Sequence, residues 1–394
     1  MPKLIIRLLL LFSLGFGANY FQSNPPSSYV GVNIPNTLRL VGIMAQFPLE
    51  VPDNPKTSGK GRFITDNKEK FPFFFIDTTE SNYSNDTIPR CNGFLVDRPP
   101  HNSAYFQKQL EAVKNYYLNI SGENFTFTTD IISNSNSQDG YYTVSNTMEY
   151  YAKADTSLAL FFSEVLDSAK NDIELILTEA DDVVFVVFHA GLGQDFSLPG
   201  LDPTVYDLKS AYIDEEMMTG VTPTEILGKS IQTGILLPET QNMIYYDIVE
   251  DIFGNPDYGT DDLCDIQLGL TGIFAFLLGY ELGLPPLFNP ETGDPGVGYF
   301  GLMDHGSNNG RGVIPAPPSP WTRSLPDSTW STIETISPFQ ITDTPIFINA
   351  LDSLNTLLRI DISDNEYFLI ENRNNWVSYK TDIDSLRRKH KIDD

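Results

Sequence analysis

Disulfide and metal chemistry have little to draw on in this chain. Its 394 residues include two cysteines, Cys91 and Cys264, and four histidines, His101, His189, His305 and His390. There is no C-x-x-C and no closely spaced His pair, so the usual zinc patterns are missing. A cysteine framework is excluded as the source of stability, and a single Cys91–Cys264 bridge in an oxidising compartment stays open. Positive charge is also scarce: 25 Lys and Arg face 52 Asp and Glu, giving a formal net charge of −27. That balance excludes nucleic acid and anionic membrane surfaces as partners, and no basic stripe interleaved with aromatics is present. After the N-terminus no apolar run approaches the roughly 20 residues of a membrane span. There is no G-x-S-x-G nucleophile elbow. Gly228-Lys229-Ser230 resembles the end of a phosphate loop, but Pro223 stands where the earlier glycine is required.

What is present indicates a folded globular protein, with 41% apolar and 12% aromatic residues. Lys3 and Arg7 precede the apolar run 8–16, followed by Gly17 and Ala18. This order is that of a signal peptide over 1–18, and it predicts a secreted, periplasmic or cell-surface protein with no membrane span in the mature chain. The run 38–47 ends at Pro48 and reads as a buried first strand, followed by a loop over 52–61 and a strand over 71–76. Phe106, Leu110, Val113 and Tyr117 predict a helix over 103–118 with Asn102 or Ser103 as its cap, stopping before Gly122. A strand over 125–132, a helix over 156–169 and a central apolar strand over 182–189 follow. The stretch 194–224 reads as an acidic loop and 242–252 as a helix. A nearly continuous apolar helix over 265–282 must be buried. The Gly- and Pro-rich 285–320 shows no periodicity, and short strands are expected at 347–350, 356–362 and 367–371. The sum is an α+β protein: a mixed sheet, a buried helix and a β-rich C-terminal part, with 19–335 as the main domain and 336–394 as an extension. Asn82, Asn85, Asn119 and Asn124 each begin an N-x-S/T pattern.

The densest signal lies in 272–321: GIFAFLLGYELGLPPLF, then GVGYFGLMDHGSNNGRG, then PAPPSPW. With LRLVGIMAQFP, HNSAYFQKQLEAVKNYY, the strand ending FHAG and the late YFLIENR, it resembles the immune inhibitor A family of secreted zincin-type metallopeptidases, over about 38–375. The family helix reads H-E-x-G-H-x-x-G-L-P-D-L-Y. Matched position by position, Phe276 and Tyr280 stand at the two His ligands, Leu277 at the general base and Pro286 at the later Asp ligand. Gly283, Leu284, Pro285, Leu287 and Phe288 keep the frame, and Met303 matches the methionine turn below the metal.

The resemblance therefore implies a zincin-like fold whose metal site has been lost. Phe, Leu and Pro offer no donor atom, neutral Tyr280 is a poor ligand, and no base remains to take a proton from water. No catalytic residue, metal ligand or zinc cofactor is expected. Tyr280, Glu281, Met303, Asp304, His305, Asn308 and His189 are the candidates for lining a binding groove. Asp195, Asp202, Asp207, Asp214, Glu215 and Glu216 read as a solvated acidic loop, with calcium as the alternative. The expected function is that of an inactive, exported, peptidase-like protein holding a peptide or protein partner. The alternatives are an active zinc endopeptidase with atypical ligands, such as His189, Glu281, Asp304 or His305, and a structural cell-surface component.

Overall fold

The computed structural model describes residues 37–65, 96–179, 181–195, 204–242, 267–326, 330–336, 346–348, 356–363 and 366–373, with positions 32, 34 and 35. The expected signal peptide, the 71–76 strand, the 243–252 part of the expected helix, and Cys91 and Cys264 lie outside them.

The chain is mixed α+β. The main sheet contains β1 (Leu38–Gln46), β2 (Phe127–Ile132), β3 (Tyr142–Thr143), β4 (Asp182–Leu192), β5 (Ala211–Ile213) and β8 (Gly234–Thr240). Its order is β2-β1-β4-β8-β5, with β3 continuing beside β1 after β2 ends. All pairings are parallel except β5 with β8. A hairpin of β6 (Thr224–Ile226) and β7 (Lys229–Ile231) precedes β8.

Helices cover both faces, as buried parallel strands require. On one face lie α1 (Ser103–Ile120) and α4 (Thr271–Glu281), with Phe188 of β4 packed on Phe106 at 4.6 Å and on Phe274 at 5.9 Å. Gly42 makes this approach available: a Cβ there would stand 3.1 Å from Phe188 and 3.3 Å from Leu110. The short α2 (Met148–Tyr151) and the long α3 (Asp155–Glu174) cover the other face, where Phe161 stacks on Phe47 at 5.3 Å. Asn102 caps α1 by accepting from Tyr105 N–H, as expected.

Several expectations are corrected. The buried helix begins at Thr271 rather than near 265, because the residues before it bond across the chain. Gln267 accepts from Val96 N–H, Gly269 donates to Arg311 O, and Leu270 donates to the Asp97 carboxylate. The stretch 194–224 is not wholly loop, since it contains β5 and reaches the start of β6. Strand β8 had no sequence signal because Pro238 interrupts it. The structure accommodates that proline because β5 pairs only Gly234 to Leu236, leaving Pro238 beyond its end.

After α4, a loop with short 3-10 turns leads to α5 (Pro320–Ser324) and to a second sheet of β9 (Thr332–Ile336), β10 (Thr356–Asp361) and β11 (Tyr367–Ile370). Strand β9 runs across the 335/336 boundary and pairs with β10, so the C-terminal sheet starts earlier than that division places it. Residues 346–348 carry no strand. Buried Arg323 of α5 pairs with Glu371 at 2.5 Å, and Arg373 with the same carboxylate at 2.6 Å. These contacts fasten the second sheet to the body.

Candidate functional site

Helix α4 ends as its sequence requires. Gly283 adopts φ +77°, its N–H donates to Tyr280 O at 2.9 Å, and Leu284 N–H reaches back to Gly279 O at 2.8 Å. This pair of bonds is a Schellman turn, which only glycine adopts without strain. The chain then doubles back so that Leu287 N–H donates to Met303 O. Met303 is buried, and a Cβ at Gly279 would stand 2.6 Å from its sulfur. Seven residues earlier on the helix, a Cβ at Gly272 would meet Ser307 O at 1.9 Å. Two turns of helix thus press a glycine edge onto the returning loop.

The positions matched in sequence to the two His ligands and the base are packed into the interior. Phe276, Leu277 and Tyr280 are buried, with the Phe276 and Tyr280 rings edge to face at 4.7 Å. Phe288 lies 6.3 Å from Phe276, and Tyr212 of β5 lies 6.1 Å from Tyr280. Pro286 is half-buried. These residues bring hydrocarbon together around the helix. A surface cavity of about 690 Å³ lies elsewhere, lined by Ser157, Leu160, Glu164 and Asp167 of α3 and the 219–222 turn.

The atypical ligands do not converge. His189 follows Phe188 along β4 and so points to the opposite face from α4, toward Phe47 at 6.3 Å and Phe161 at 6.5 Å. Its Nδ1 lies 2.9 Å from Ala190 O, its Nε2 is buried without a partner, and burial lowers its pKa to about 4. Asp304 is fully committed. Its Oδ2 accepts the N–H groups of Gly296, Val297 and Gly298 at 2.7–2.9 Å, and its Oδ1 accepts His305 N–H at 2.7 Å. It organises the loop. The His305 ring packs against Tyr299, and Asn308 is half-buried in the same loop. Glu281 lies by Thr233 and Tyr212, and burial raises its pKa to about 6. Among the described residues no three His, Cys, Asp or Glu side chains are grouped to hold a metal ion.

The acidic loop does not converge either. Asp195 accepts from Ser210 N–H and Oγ–H and contacts Gln241. Asp207 instead accepts from Ser58 N–H and Oγ–H, and Asp214 accepts from Met217 N–H. Asp202 lies outside the described residues.

Sequence reasoning missed a buried polar hub at the C-terminal edge of β4 and β8. Glu239 accepts from Ile64 N–H at 2.9 Å and Gly191 N–H at 2.7 Å, and lies 2.5 Å from His101 Nδ1. The other His101 nitrogen lies 2.9 Å from Asp97 O, and Tyr105 Oη–H donates to Glu239 O. Gln109 and Leu270 N–H donate to the Asp97 carboxylate, whose pKa burial raises to about 6. The hub joins β4, β8, α1 and the start of α4, and its only trace in the sequence is a carboxylate closing the apolar run GILLPE. Comparison with protein-family models and with curated protein sequences finds no match to this chain.

Proposed function

We propose that this chain is an exported, zincin-like member of the immune inhibitor A group that has lost hydrolysis and acts by holding a peptide or protein partner. The observation that carries the reading is the state of α4. The three positions that would supply two ligands and the base are Phe276, Tyr280 and Leu277, all buried, with the Phe276 and Tyr280 rings edge to face. The helix, its glycine turn and the return of Met303 beneath Gly279 have the arrangement expected of the family frame, which supports the zincin-like reading. A water bound to zinc needs ligand nitrogens or oxygens at about 2.0–2.3 Å and a base beside it, and hydrocarbon supplies neither.

Metal content of the purified protein, measured together with casein and gelatin hydrolysis, tests the reading. The expected result is substoichiometric zinc and no chelator-sensitive cleavage. Stoichiometric zinc with chelator-sensitive proteolysis would establish the active alternative with atypical ligands. The packing of Phe276 against Tyr280 and Phe288 favours a second reading, a structural component of a cell surface that makes no use of the old groove. Binding to arrayed peptides separates the two, since the structural component retains none.

A further inference from the structure

We propose that Asn124 is the acceptor of an N-linked oligosaccharide. The inference rests on the exported reading above, because the donor is a lipid-pyrophosphate oligosaccharide of a secretory compartment. Two sequons fall in the described residues, Asn119-Ile120-Ser121 and Asn124-Phe125-Thr126. The fold treats them differently.

The first sits in the last turn of α1. Asn119 is exposed there, but Ser121 is fully buried, with its Oγ–H donated to Leu118 O at 3.0 Å and its oxygen accepting Phe125 N–H at 3.0 Å. Its hydroxyl is committed to closing the helix. The second sequon leaves a turn in which Gly122 and Glu123 both have positive φ and is followed directly by β2. Phe125 is buried between Tyr117 and Trp330, with ring centroids at 6.0 and 5.8 Å. Asn124 and Thr126 flank it, and both are exposed. Thr126, unlike Ser121, is exposed to solvent. Asn124 Nδ2 donates one hydrogen to Ser121 O at 3.0 Å. Substitution replaces one of its two amide hydrogens, and the one that remains can keep this bond.

In the transfer, a bond forms between Asn124 Nδ2 and the sugar C1 as the C1–O bond to the lipid pyrophosphate breaks. The pyrophosphate leaves with the electron pair, and the amide proton passes to base.

The test is peptide mapping of the full-length protein isolated from its own source, reading the N-terminus and residues 119–126 together. The expected result is a start at residue 18 or 19, an oligosaccharide on Asn124, and aspartate at 124 after treatment with a glycan-releasing amidase. Asn124→Gln and Thr126→Ala should each lose the glycan, and Thr126→Ser should keep it. A bare Asn124 on a chain starting at residue 18 or 19 overturns the inference and leaves export standing. A bare Asn124 on a chain retaining residues 1–17 overturns both. A glycan on Asn119 with Asn124 bare also overturns it.

Discussion

Asp304 shows how a residue with metal-ligand chemistry becomes a structural one. Its carboxylate accepts four backbone N–H groups, three from 296–298 and one from His305. An amide in its place has one acceptor oxygen, so Asp304→Asn must orphan at least one N–H at a cost of about 1–3 kcal/mol. Urea unfolding should show that loss, while Asn308→Ala, in the same loop with a half-buried side chain, should change stability by less than about 0.5 kcal/mol. The titrating residues oppose one another. Glu281 has a folded pKa raised from 4.5 to about 6, so the folded state binds the extra proton and stability falls as pH rises through about 6. Glu281→Gln should remove that fall and stabilise the protein at pH 7 by about 2 kcal/mol. His189 is lowered from 6.5 to about 4, so its contribution is lost as pH falls through that window. His189→Phe removes the unpartnered Nε2 among aromatic neighbours, and its Tm should decline less between pH 6.5 and pH 4 than that of the parent protein.

At the level of elements, α4 depends on two glycines that helix propensity alone would replace by alanine with a gain of about 1 kcal/mol each. Packing reverses the sign unequally. A Cβ at Gly279 meets the flexible end of Met303, whereas at Gly272 it meets the Ser307 carbonyl at 1.9 Å. Gly272→Ala should therefore cost about 1–3 kcal/mol and Gly279→Ala clearly less, as read from denaturant midpoints at constant slope. What the sequence made legible follows the same division. Strands β1 and β4, helix α1 with its Asn102 cap, and the glycine stop of α4 each carry a local pattern, and each is found where that pattern puts it. Strand β8 and the late start of α4 were hidden because their causes are tertiary. Pro238 lies past the end of the β5 pairing, and 267–270 is held out of the helix by Asp97, Val96 and Arg311. The hub around Glu239 and His101 was hidden for the same reason, since its members are 138 residues apart in the chain.

For the whole molecule, the question is whether the frame of α4, its glycine turn and the Met303 return is a peptidase scaffold filled with hydrocarbon or an unrelated packing of the same elements. Installing the metal-site residues of the family it resembles decides it. The variant Phe276→His, Leu277→Glu, Tyr280→His, Pro286→Asp places three polar groups at buried positions and a fourth at half-buried Pro286, with Phe276 now beside Phe288 and Tyr280 beside Tyr212. Without metal those groups lack partners, and burying each costs about 1–3 kcal/mol, so the apo variant should be markedly less stable than the parent. On a zincin scaffold the two histidines share a helix face one turn apart, and the carboxylate at 286 returns over them. Zinc would then bind the folded state alone and stabilise it by RT ln(1 + [Zn]/Kd), about 2.7 kcal/mol at a hundredfold excess over Kd. The expected outcome is a Tm that rises with zinc in the variant and does not move in the parent. An equally destabilised variant whose Tm ignores zinc would mean that α4 and its return loop do not superpose ligand positions, and the zincin-like reading would fall with it. The two outcomes differ in the zinc dependence alone, so a merely destabilising substitution cannot imitate the first.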